Sequence, residues 1–279
     1  MRTLLLSLLC CIPVIRVFAA TEEPAPWETA LRFDYNEASE SFARLRKASP
    51  SDARIAIAHA SVLLVRQPRT TGNILVAHSL LKAVASRSIP FDGAPEDDVL
   101  LALFLAARVE QDHLEPPRPA DARAAYQVLM QDHPGHPLAG QAAVQLSLLD
   151  AWDEPRLPAE NAIGRITARL PLVATRPEAA RDLRMILARL EWEDRRDARA
   201  AIVHLQAGRA IGYQSPFRNA EVDLMIANLA ARLNDNITAS AHYRAFLDGK
   251  RQDIRTSAVR RRLAGMETGA TRREESRIP

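Results

Sequence analysis

With 279 residues, 47% of them hydrophobic, the chain can bury a sizeable core, in one elongated domain or in two compact ones. Ten glycines and 5% aromatic residues, set against abundant Ala, Leu and Arg, favour helices and argue against a β-sandwich or a glycine-rich nucleotide-binding sheet. A formal net charge of +3 over this length gives little electrostatic case for a nucleic-acid partner.

The chain opens with MRTLLLSLLCCIPVIRVFAA. Arg2 supplies a positive start, Thr3 to Ile15 a short apolar run, and Val17-Phe18-Ala19 a small-residue processing site. Residues 1–19 therefore predict a signal peptide cut near Ala19. The apolar run is short for a membrane-spanning helix, and an uncleaved anchor is the other reading. A lipoprotein signal fits less well, because Leu9 and Cys10 stand where a small residue is wanted. Cys10 and Cys11 both fall in this leader, so the processed chain has no thiol for a disulfide, a metal or a nucleophile. Losing Arg2 and Arg16 leaves 35 basic residues against 34 acidic ones, a net charge of +1. Residues 20–27 read as a short N-terminal segment, 28–265 as the folded body, and 266–279 as a polar, disordered tail of mixed arginines and glutamates.

Within the body one spacing recurs. Ala38 is followed by Phe42, Leu45 and Pro50, and Ala122 by Tyr126, Leu129 and Pro134 at the same intervals. Ala77, Leu81 and Val84 keep the four-then-three step with Pro90 one place late; Ala201, Leu205 and Gly208, and Ala239, Tyr243 and Phe246, keep it without the proline. Ala162 and Ile166 begin a weaker copy. The anchoring alanines lie 39, 45, 40, 39 and 38 residues apart. Any helix face produces four-and-three steps, but not a near-constant interval from Ala38 to Ala239. Between the anchored segments run further helical stretches, such as DARIAIAHASVLLVRQ and EAARDLRMILARLEW, separated by turn signals such as DHPGHP and DEPRLP. Ser51, Asp97 and Asn236 are candidate N-caps. The apolar run from Val99 to Val109 is a buried helix rather than a membrane span. No stretch alternates as a strand requires.

The rhythm of small residue, aromatic or Leu, Leu and closing Pro resembles the second helix of tetratricopeptide (TPR) repeats, best at Ala38–Pro50 and Ala122–Pro134 and loosely over 28–265. The usual first-helix signature is largely missing, and the period exceeds the family's roughly 34 residues. The excess fits in loops such as Gln67–Asn73 and Leu114–Pro119. HEAT-like helix pairs, with a period of about 40–47, are the runner-up. The resemblance implies an all-α superhelical solenoid of stacked antiparallel helix pairs, and a non-catalytic scaffold like the divergent TPR proteins exported to bacterial envelopes. It implies a protein or peptide partner in the periplasm or cell envelope, with peripheral association with the envelope, and a groove lined by first helices. Carrying the register forward puts Gln141, Gln145, Glu178 and Arg181 on that side; exposed helix polarity is their plainer explanation. Each helix pair is too small to bury its own apolar faces, so pairs must stack. Ala122→Trp is accordingly expected to overpack a close helix approach and cost about 1–3 kcal/mol, read as a lowered melting temperature.

Chemistry is sparse. Seven histidines are scattered, and only His133 and His136, with Asp132 beside them, lie close together. Two imidazoles and a carboxylate could hold zinc, with His113 as a third nitrogen. Yet Pro134 between them occupies the place that Pro50 fills in a repeat without histidine, and a turn explains the cluster better. No metal or cofactor is therefore expected. No nucleophile elbow, zinc-protease helix, phosphate loop or dinucleotide fingerprint occurs, and no catalytic residue is assigned. Glu96-Asp97-Asp98 reads as negative charge favoured at a helix start, and Glu191-Trp192-Glu193-Asp194, followed by Arg195 and Arg196, as a solvated helix end. An accessory or catalytic role on cell-wall glycan, through an acid such as Glu193, is the alternative function. Asn236-Ile237-Thr238 matches a glycosylation sequon, of little weight if the source is bacterial.

Overall fold

The computed structural model describes residues 25–153, 155–249 and 253–275, and the predicted leader lies outside them. Among the described residues the regular secondary structure is helical, with no strand. The chain divides into two compact units, Met1–Ala125 and Tyr126–Pro279, with the boundary inside one helix.

The first unit carries α1 (Ala25–Leu31), α2 (Tyr35–Ala48), α3 (Ala53–Val65), α4 (Thr71–Ala85), α5 (Glu96–Asp112) and the start of α6 (Pro119–Gln131). Each of α1 to α4 packs against the next helix, and α3 also reaches α5. The second unit carries the rest of α6, then α7 (Pro137–Trp152), α8 (Ala159–Arg169), α9 (Pro177–Glu193), α10 (Ala198–Ile211), α11 (Pro216–Arg232), α12 (Asn236–Gly249) and α13 (Thr256–Glu275). Here α9 with α10, and α11 with α12, form the most extensive hairpins, and α7 lies against α9.

All six anchoring alanines fall on the even-numbered helices α2 to α12, and none is more than 1% exposed. Phe42, Leu81, Tyr126, Ile166, Leu205 and Tyr243, four residues on, are each at most 2% exposed. The four-residue step puts both side chains on one face, one turn apart, and that face is the buried one. Leu45 is only partly buried, whereas Val84, Leu129 and Phe246 are fully so. Pro50 and Pro134 are exposed in the turns that follow α2 and α6. The odd-numbered helices between are the first helices of the pairs. As the repeat logic requires, the apolar interior is a series of clusters rather than one core. One, around Ala38, Phe42, Ala58 and Val62, receives Trp27, whose ring meets Phe42 edge-on at 4.9 Å. Another joins α9 to α13 through residues including Ile226, Tyr243, Phe246 and Val259. The Val99–Val109 run is buried in α5, and no described helix is long and apolar enough to cross a membrane.

Several expected boundaries move. Each of the three expected N-caps lies next to or inside the turn that its helix uses. Asp52, not Ser51, caps α3, accepting the N–H groups of Arg54 and Ile55. Asp235, not Asn236, accepts the Thr238 N–H at the head of α12. Asp97 lies within the first turn of α5, with Pro95 at the cap. Helix α1 begins at Ala25, inside the segment expected to precede the folded body. Helix α13 runs through residue 265 to Glu275, so the division drawn at 265/266 falls within a helix. Ala, Arg, Met and Glu dominate that stretch, and their helix propensity carries it onward despite its polarity.

Candidate interaction surface

The four candidate groove residues sit on first helices, as the register requires: Gln141 and Gln145 on α7, Glu178 and Arg181 on α9. Their surroundings differ. Gln141 and Glu178 are exposed, while Gln145 is half-buried and its Oε1 has no hydrogen-bond partner. Arg181 is committed to the fold. Its Nη1 donates to the Gly212 carbonyl at 3.2 Å, its Nε to Asp182 at 3.2 Å, and its guanidinium lies 4.6 Å from the Tyr213 ring centroid. It thereby pins the loop between α10 and α11, which Asn219 closes with hydrogen bonds to both the N–H and the carbonyl of Tyr213.

What the sequence conceals is a set of buried carboxylates, all on first helices. Asp98 and Glu110 on α5, Asp150 on α7, Glu191 on α9 and Asp223 on α11 are each 1–4% exposed. Burial is tolerable because each meets a cation or a hydrogen-bond donor. Asp98 accepts from Arg54 at 3.2 Å, Glu110 lies 3.0 Å from His78 and 3.4 Å from Lys82, and Asp150 meets Arg169 at 2.5 Å. Asp223 lies between Arg209 of α10 and His242 of α12, at 3.1 and 3.0 Å, and so ties a first helix to the second helices on either side.

These contacts correct the reading of both acid runs. Asp98 is not merely dipole-favoured surface charge: burial pushes its carboxyl above the usual range, and Arg54 pulls it back. Glu191 is not solvated; burial raises it too, opposed by Arg195, whose Nη1 lies 3.2 and 3.0 Å from its two oxygens. Glu193, the residue considered for glycan chemistry, is exposed and lies 4.0 Å from Arg189.

The DHPGHP turn is built as a helix start. His136 Nδ1 accepts the Leu138 N–H at 3.2 Å and caps α7, which Pro137 opens at a position where a missing N–H costs nothing. Arg176 donates to the carbonyls of Pro134 and His136. Gly140 makes room for that side chain, since an added methyl would come within 2.5 Å of Arg176 Cδ. His113, the third nitrogen considered, contacts Arg69 in the first unit. Among the described residues no three His, Cys, Asp or Glu side chains converge as a metal site.

Two histidines give the first unit a pH dependence. Burial, with Arg46 and Arg66 nearby, lowers His59 to about 4, and burial with Arg69 lowers His113 to about 4. Between about pH 6.5 and about 4 the unfolded chain binds protons that the folded histidines refuse. The first unit is therefore expected to lose stability steadily as pH falls through that window, with no contribution from these groups above it. Urea midpoints followed through Trp27 should drop on acidification, and His59→Gln should flatten the drop.

These observations define a helical-repeat protein in which several buried carboxylates tie helices to one another. No protein-family model and no curated protein matches the chain. Solved structures do. A Pseudomonas aeruginosa structure described as a functional characterization of pilF superposes with a TM-score of 0.52 at 17% identity, over 85% of this chain and 94% of that one. The C-terminal part of a TPR repeat-containing protein from Cytophaga hutchinsonii matches over 84% of this chain and 97% of its own at 11% identity, with a TM-score of 0.39. The fold is all-α and TPR-like, built of stacked antiparallel helix pairs.

Proposed function

We propose that this chain is a non-catalytic, exported scaffold that holds a protein or peptide partner along the exposed faces of its first helices, in the periplasm or cell envelope. The observation that carries the reading is the division of labour along those helices. Their inner acids and Arg181 are consumed in holding the stack, whereas Gln141, Glu178, Phe217 and Met225 stay exposed on α7, α9 and α11. Such mixed polar and apolar faces suit an extended or helical peptide. The export half rests on the leader-like residues 1–19 and their processing site near Ala19. Crosslinking pull-down of the chain from envelope extract should capture a reproducible partner, and capture should weaken with Gln141→Arg combined with Met225→Glu. A chain that captures nothing overturns the scaffold reading. N-terminal sequencing of the cell-associated protein should begin at or near Ala20; an intact Met1 terminus would overturn cleavage.

A further inference from the structure

At the turn between α9 and α10 two guanidinium groups lie near one tryptophan ring. Trp192, next to the last residue of α9, packs its ring partly into the α9–α13 core. Arg196 lies 5.9 Å from its centroid and Arg232, the last residue of α11, 5.1 Å. Both arginines are exposed, and neither forms an ion pair among the described residues.

Nearby acids are already engaged. Glu191 is held by Arg195 at 3.0 Å, Glu193 lies near Arg189, Asp194 is bound by Arg156 at 2.5 Å, and Asp197 caps α10 by accepting the Ala200 N–H. One turn before Arg232, Asn228 receives a third exposed guanidinium, that of Arg262, at 2.8 Å. The patch therefore presents two guanidinium groups that are not held by these acids, over an aromatic floor.

A second observation comes from the backbone. Arg196 has φ of 58°, in the left-handed region, where the Asp197 N–H returns to the Glu191 carbonyl at 2.8 Å to close α9. At the corresponding turn after α11 the left-handed residue is Asn234, at 59°, a residue that tolerates this conformation. Glycine or asparagine would satisfy the α9 turn with less strain, yet this turn holds an arginine and lays it against Trp192.

We infer that Arg196, Trp192 and Arg232 form the docking point for an acidic segment of a partner protein. Stacking on the indole holds each guanidinium while leaving its N–H edge free for bidentate contact with Asp or Glu carboxylates. The inference rests on the scaffold reading and specifies the charge of the partner.

The test uses the full chain and a fluorescent ten-residue peptide alternating Glu and Leu, with a Lys–Leu peptide as control and phosphatidylglycerol vesicles as a competing anionic surface. The acidic peptide should bind more weakly as salt rises, the basic one should not bind, and Arg196→Glu with Arg232→Glu should lower affinity at least about tenfold. Arg196→Gly separates docking from structure: it should keep or raise the melting temperature while weakening the peptide severalfold. The inference is overturned if the acidic peptide fails to bind, if the double variant binds it equally well, or if Arg196→Gly lowers the melting temperature without changing affinity. Binding to the vesicles through these arginines in preference to the peptide would assign the patch to lipid and overturn it as well. If the double variant still captures its partner from envelope extract, scaffolding stands and this docking point falls; capture of nothing by the unaltered chain is instead the failure of the scaffold reading.

Discussion

Tyr243→Ala is expected to destabilise the second unit by about 3–5 kcal/mol. Tyr243 is fully buried at the aromatic position of the last repeat, among Ile226, Phe246 and Val259. Its hydroxyl donates to Asn228 Oδ1 at 2.8 Å. Truncation removes the ring from the packed interface of α11 and α12, the most extensive hairpin of the unit, and leaves a cavity that rigid neighbouring helices cannot fill. Tyr243→Phe separates packing from the hydrogen bond and should cost about 1 kcal/mol, because Asn228 Oδ1 still receives Arg262. The three tryptophans make the readout local: Trp27 lies in the first unit, Trp152 and Trp192 in the second. In a repeat array each pair is supported chiefly by its neighbours. In the alanine variant, urea unfolding followed in Trp27-only and Trp192-only backgrounds should show the Trp192 transition moved to lower denaturant and the Trp27 transition nearly unmoved.

Ala38, Ala122 and Ala239 were legible as buried positions because a repeated small residue is a steric requirement written into the local sequence. The first helices offered no comparable mark. Their inward faces carry Asp98, Glu110, Asp150, Glu191 and Asp223, residues whose composition reads as surface. Only the pairing partners, between 4 and 44 positions away in the chain, make such burial affordable. Long-range ion pairing has no periodic signature, so the acid runs around Asp98 and Glu191 read as exposed helix ends. The register placed the candidate groove residues on the odd-numbered helices α7 and α9. That register could not tell the exposed Glu178 from Arg181, which is claimed by a loop 31 residues onward. The Arg196–Trp192 contact was invisible for a related reason: RR after a helix ordinarily reads as solvated charge, and only the fold brings the guanidinium near the ring.

Asp150 carries the other large expectation. It is 1% exposed on α7 and meets Arg169 at 2.5 Å and Arg165 at 3.4 Å, both from α8. Arg169, itself largely buried, also donates to Ser147 Oγ at 3.1 Å, while the Ser147 hydroxyl donates to the Ala143 carbonyl. Asp150→Ala strands the Arg169 charge on that single neutral acceptor, and the expected loss is about 3–5 kcal/mol. Arg165→Ala should cost less than about 1 kcal/mol, because an exposed arm of the pair is screened by water. The deciding variant is Asp150→Leu with Arg169→Leu. If the pair contributes net stability, the double variant stays as weak as Asp150→Ala; if the loss is the penalty of an orphaned charge, it recovers most of it. Recovery is the expected result, since desolvating both ions offsets much of their attraction. Urea midpoints of the unaltered chain, Asp150→Leu, Arg169→Leu and the double variant give the coupling energy, and recovery would mean that this carboxylate fixes which helices pair rather than how strongly the stack holds.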